Sequence, residues 1–141
     1  LGSSPTIGWT ALVIEFAKAV SVAEGFGRPG KIPTIANNPC DLELGDAGSF
    51  RTDGTLGEGI AKFVELSDGW QAAYHKFNRI LSGRSAVYPL TMTLAAMGLK
   101  YSDGDVNWAK NVGAELTVPV SMTLAEIKQS RGAGGDPGQG S

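Results

Sequence analysis

The first sustained run of apolar positions extends from about Thr10 to Glu24 and predicts a helix. Thr10 is an N-cap residue type, and Gly25 and Gly27 supply a stop. Glu15 and Lys18 make only a narrow polar edge, so this helix is expected to be buried on most sides. From Phe26 to about Pro39 the periodicity vanishes. Arg28-Pro29-Gly30 and Asn37-Asn38-Pro39 are turn signals, and a loop of this length often carries function. Beyond it, Asp41-Leu42-Glu43-Leu44 alternates with period two, Asp53-Gly54 is a hairpin-type turn pair, and Ile60 to Val64 reads as a strand. Two or three short antiparallel strands are expected.

The clearest helical pattern runs from Ser67 to Ser82. Trp70, Ala73, Tyr74, Phe77, Ile80 and Leu81 fall on one face, with Gln71, His75, Asn78, Arg79 and Ser82 on the other, and Gly83 ends it. Further helices are predicted over Thr91 to Tyr101 and over Asp105 to Leu116, the latter with Val106, Ala109 and Val112 facing inward. Pro119 breaks the chain, and Thr123-Leu124-Ala125-Glu126 is a capping-box start for a last short helix. No internal repeat is evident. From Arg131 onward the residues are Gly, Asp, Pro, Gln and Ser with one Ala, the composition of a linker or disordered tail. The expected organisation is an N-terminal segment 1–9, one domain over 10–130 and a tail over 131–141, in the mainly α (α+β) class.

Composition narrows the function classes. With 141 residues, 42% hydrophobic and 18% charged, the chain has enough apolar material for one core. The net charge is -2 and no basic stripe occurs, which argues against nucleic-acid binding. Cys40 is the single cysteine, so no intrachain disulfide forms; with one His as well, a His/Cys zinc site is excluded. No metal or cofactor is expected, and no run approaches the length of a membrane span. Leu1-Gly2-Ser3-Ser4-Pro5 has neither an initiator Met nor a signal-peptide pattern, as expected of a processed or truncated end.

Glu24 is the leading candidate for chemistry. It lies about 180° around its helix from Glu15, on the side of Val13, Ala17 and Val20. Apolar surroundings and the helix C-terminus both disfavour its anion and raise its pKa, which suits a general acid. The competing reading is a helix-end Glu that points into water.

Ala23-Glu24-Gly25-Phe26-Gly27, Ile32-Pro33 and Asn37-Asn38-Pro39-x-Asp41-Leu42 together resemble a lysozyme-like family of bacterial and phage peptidoglycan glycosidases. The similarity continues through Ile60 to Val64, Ser67-Asp68-Gly69-Trp70, Leu94-x-x-Met97, Tyr101, Asn107-Trp108 and Val112, roughly Ala19 to Val118. The resemblance implies a lysozyme-like fold, with helices around a small antiparallel sheet and a cleft between. It implies that Glu24 donates a proton to a glycosidic oxygen and that Asn37, Asn38 and Leu42 shape the cleft. Cys40 and Asp41 depart from the Gly and Asn usual there. Tyr101 either lines the cleft or belongs to the core, and Trp108 either stacks on a sugar or packs inside. With Asn37, Asn38 and Leu42, both are carried as substrate-binding candidates.

A second carboxylate has five candidates, Asp41, Glu43, Asp46, Asp53 and Glu58, each with the alternative of a solvated turn or edge charge. Some enzymes of this kind use one Glu with the sugar's N-acetyl group assisting. Asp103-Gly104-Asp105-x-Asn107 starts like a calcium loop but lacks its later Gly and Glu, so it reads as a turn and helix cap. His75 is expected to be exposed, and Cys40 has no basic neighbour in sequence to activate it. The implied partner is peptidoglycan, met by a monomer in an extracellular, periplasmic or virion-associated setting. The alternative is a non-catalytic cell-wall-binding or phage-like structural protein. A third reading is a small helical domain whose Glu merely ends a helix.

Overall fold

A computed structural model describes residues 6–132; residues 1–5 and the Gly-rich segment 133–141 lie outside the described residues. The architecture is mainly α with one small antiparallel sheet. Helix α1 (Ala11–Ala23) is its axis, packed between α3 (Leu66–Leu81) and α5 (Val106–Leu116). Leu12, Val13, Phe16, Ala17, Ala19 and Val20 are all buried, as a helix with so narrow a polar edge requires. Thr10 Oγ1 caps the helix by accepting the Val13 N–H at 3.3 Å. At the other end Gly25 adopts φ +83°, the Phe26 N–H returns to the Ser21 carbonyl and the Gly25 N–H to that of Val22. This Schellman closure leaves Glu24 as the C-cap, at the point where the chain turns away.

The segment after Phe26 is more regular than its composition suggests. A four-residue helix α2 (Ile32–Ile35) forms there, with Pro33 in its first turn where the missing N–H costs nothing. Asn37 follows it with φ 52°, and the Asn38 N–H returns to the Pro33 carbonyl at 2.9 Å. Asn37 therefore occupies the left-handed position that closes α2, a place open to Gly and Asn.

The sheet contains two strands, β1 (Thr52–Leu56) and β2 (Ile60–Phe63). Asp53-Gly54 is not their turn. Gly54, at φ +79°, sits inside β1 where the register shifts between Thr52 and Thr55, so its positive φ serves a bulge. The turn is Gly57-Glu58-Gly59, whose two glycines adopt φ +60° and +85°. The expected strand over Asp41 to Leu44 reduces to an isolated bridge between Glu43 and Ile60, followed by a 3-10 turn over Leu44–Asp46.

In α3 the predicted face holds: Trp70, Ala73, Tyr74, Phe77, Ile80 and Leu81 are buried and His75 is exposed. Gly69 is fixed by space, since a Cβ there would collide with the Asn37 carbonyl oxygen and lie 3.0 Å from Pro39 Cδ. In α5 the inward residues are Trp108, Ala109, Val112 and Leu116. Val106, two positions before Trp108 and about 200° around the helix, is 60% exposed rather than inward-facing. Helix α4 (Leu94–Tyr101) starts later than its pattern suggests, because Thr93 caps it through the Ala96 N–H at 3.1 Å.

An internal repeat is present after all. Pro89-Leu90-Thr91-Met92-Thr93-Leu94-Ala95 recurs as Pro119-Val120-Ser121-Met122-Thr123-Leu124-Ala125. Each copy leads into a helix, α4 in the first case and α6 (Leu124–Ile127) in the second. The copies face each other antiparallel across Thr93 and Thr123. The Leu94 N–H donates to the Met122 carbonyl and the Leu124 N–H to that of Met92; Ala95 pairs with Val120 as Ala125 does with Leu90. This local two-fold clamp pins the C-terminal helix to α4. Arg131 also belongs to the fold rather than to the tail: it donates to the Leu116 carbonyl at 2.7 Å and pairs with Glu15 at 2.8 Å.

Candidate functional site

Glu24 is half-buried beside α5, where Trp108 donates its indole Nε1–H to Glu24 Oε2 at 2.7 Å. Among the described residues no hydrogen-bond partner engages Oε1. An oxygen that accepts from an indole N–H cannot direct a proton along the same line, so the acid proton belongs on Oε1. Burial raises the Glu24 pKa from 4.5 to about 7, helped by the negative charges of Asp41 and Asp105 and opposed by the Trp108 hydrogen bond. Near neutrality the carboxyl is therefore divided between acid and anion, the condition for giving and taking a proton in one cycle.

The segment after α2 makes up the second part of the site. Asn38 is fully buried; its Oδ1 accepts the Leu42 N–H at 2.9 Å, and its Nδ2 donates to the Leu42 and Ala61 carbonyls at 2.9 and 2.8 Å. One side chain thus stands in for a missing strand and splints the segment to β2. Asn37 Nδ2 donates to the Phe63 carbonyl at 3.2 Å. The segment then bends at Asp41, which has φ 55° and stays half-buried, with burial raising its pKa. The Tyr101 hydroxyl donates to the Cys40 carbonyl at 2.6 Å, and its ring lies 4.8 Å from that of Trp108. A continuous chain of contacts, Cys40 to Tyr101 to Trp108 to Glu24, joins this bend to the acid.

Several site expectations need correction. Asn38, Leu42 and Trp108 are at most 2% exposed, so their side chains do not present themselves to a ligand. They act by holding Glu24 and the Asp41 bend in place. Trp108 in particular gives its polar edge to Glu24 and its faces to the core. Asn37 and Tyr101 are engaged with backbone carbonyls in the same framework. Cys40 is fully buried with its thiol directed to the Ala17 carbonyl, and burial lifts its pKa far from the reactive range. Asp105 caps α5 by accepting the Asn107 N–H at 2.9 Å, as the turn-and-cap reading expects.

Of the five possible second carboxylates, Asp41 is the one whose charge acts on Glu24. Asp46 is bound to Lys76 at 2.8 Å, and Asp53 and Glu58 are exposed on the hairpin. Sequence reasoning missed Asp105 as a charge near Glu24, and it missed the pairing of Lys76 with Asp46. Neither has a sequence signal, because each depends on elements far apart in the chain. No family model matches this chain, and neither a curated protein nor a solved structure matches it.

Proposed function

We propose that this chain is a peptidoglycan glycosidase of the lysozyme or lytic transglycosylase type, with Glu24 as the general acid for the N-acetylmuramic acid to N-acetylglucosamine linkage. The observation that carries the reading is the half-buried Glu24, whose proton is held to about 7 while Trp108 fixes one of its oxygens. The choice of glycan comes from the Glu-Gly-Phe and Asn-Asn-Pro-x-Asp-Leu pattern and its likeness to the lysozyme-like glycosidases.

In this reading Glu24 Oε1–H gives its proton to the glycosidic oxygen as the bond from that oxygen to the sugar carbon breaks. The carbon is then attacked either by water, giving hydrolysis, or by a hydroxyl of the same sugar, giving an anhydro product. In both cases the attacking oxygen returns its proton to the Glu24 carboxylate, which restores the acid. Trp108 supports the carboxylate while it is charged and keeps its orientation between turnovers.

Clearing of a cell-wall suspension by wild type and by Glu24→Gln tests the assignment. Wild type should clear the suspension and the variant should be slower by about 10²-fold or more. Equal clearing by both removes Glu24 from the mechanism. Wild-type protein that sediments with cell walls but releases no sugar fragments supports the non-catalytic binding alternative instead.

A further inference from the structure

On the polar side of α3 lies a cavity of about 130 Å³, walled by the loop Gly45–Phe50 and by His75, Lys76 and Arg79. Lys76 is neutralised there by Asp46 at 2.8 Å. Arg79 has no acidic partner among the described residues, so the cavity keeps one cation in excess. The loop adds donors: the backbone N–H groups of Gly48 and Ser49 have no hydrogen-bond partner among the described residues. Phe50 and His75, with ring centroids 5.2 Å apart, form an aromatic side to the same cavity.

The geometry points to a binding site for the carboxylate of a short peptide, with Arg79 and the Gly48–Ser49 backbone as its donors and the Phe50–His75 rings against the adjoining side chain. An arginine fork matches a planar carboxylate with two parallel hydrogen bonds. With Lys76 and Asp46 cancelling, the single uncompensated cation balances one negative charge, which suits a monoanion such as a carboxylate. Lys76 ties this cavity to the Glu24 framework, since its ammonium lies 5.9 Å from the Tyr101 ring, which in turn packs on Trp108. Naming the peptide as the stem of peptidoglycan rests on the glycosidase reading; the preference for a carboxylate does not.

An amide NMR titration of the full chain tests the site with three probes: N-acetylalanine, its carboxamide and inorganic phosphate. Expected are saturable shifts at Gly48, Ser49 and the Arg79 side-chain N–H with N-acetylalanine, and none with the carboxamide. The exposed Arg79→Gln should bind about tenfold or more weakly, while Glu24→Gln binds as wild type does. Equal response to the carboxamide, a tighter response to phosphate, or unchanged binding by Arg79→Gln overturns the assignment. Because the titration involves no turnover, its failure is distinct from a failure of Glu24 catalysis. The stem assignment is read separately: Arg79→Gln should raise KM for peptide-bearing glycan and leave KM for peptide-free glycan unchanged. An equal effect on both glycans contradicts that assignment.

Discussion

Replacing Glu24 by glutamine should stabilise the folded protein in alkaline solution and leave its stability unchanged in acid. In the unfolded chain this carboxyl ionises near 4.5, whereas in the folded protein it holds its proton to about 7. Between those values the unfolded state releases a proton that the folded state keeps. Wild-type stability therefore falls as pH rises through this window and levels off above it. One pKa unit is worth about 1.4 kcal/mol, so the penalty at full ionisation reaches about 3 kcal/mol. Glutamine does not titrate, fills the same volume, and offers Trp108 an oxygen to donate to. Urea denaturation of both proteins across pH isolates the effect, because all other carboxylates cancel in the difference to first order. The variant should match wild type below about pH 4 and exceed it by about 3 kcal/mol above about pH 8. A difference that stays constant across the range would refute the reasoning, since Glu24 would then titrate normally in the fold.

Trp108→Phe removes the hydrogen bond that favours the charged form of Glu24, so the alkaline limb of the pH–rate profile should move upward while kcat falls; an unmoved limb would show that the indole does not act on Glu24. Asn38→Ala strips partners from the buried Leu42 and Ala61 backbone groups and should cost about 3 kcal/mol by urea denaturation; a loss below about 1 kcal/mol would mean that other groups satisfy them. Gly69→Ala forces a Cβ into the Asn37 carbonyl and should cost about 3 kcal/mol or prevent folding. A thermal melt matching wild type would contradict that close approach.

The longer helices were legible from their apolar spacing and local stops, whereas the four-residue α2, inside a Gly- and Pro-rich stretch with no period, was not. Trp70 through Leu81 shows this in α3, as do Thr10 and Gly25 at the ends of α1. The sheet was less so. Asp53-Gly54 carries a turn signal, but the same positive φ at Gly54 serves a bulge as well as a turn, and only the partner strand decides between them. Period two over Asp41 to Leu44 was misleading because the Asn38 side chain takes over hydrogen bonds that a strand would make. Glu24 was legible from its position on the apolar side of α1. The roles of Trp108 and Tyr101 were not: an aromatic residue at helical spacing reads the same whether its polar edge meets a sugar, a carboxylate or a carbonyl. The Pro-x-x-Met-Thr-Leu-Ala repeat stands in the sequence itself, and its meaning as a clamp follows from pairing across about 30 residues, beyond the reach of local periodicity.

Soluble products released from purified peptidoglycan, followed by mass spectrometry across pH for wild type and Glu24→Gln, test the central claim most directly. Wild type should release disaccharide-containing fragments, with a rate that falls as pH rises through about 7, where Glu24 loses its proton. The variant should release them at a rate lower by about 10²-fold or more. Fragments released by the variant at the wild-type rate, or none released by wild type at any pH, would contradict the assignment of Glu24 as the acid of a glycosidase.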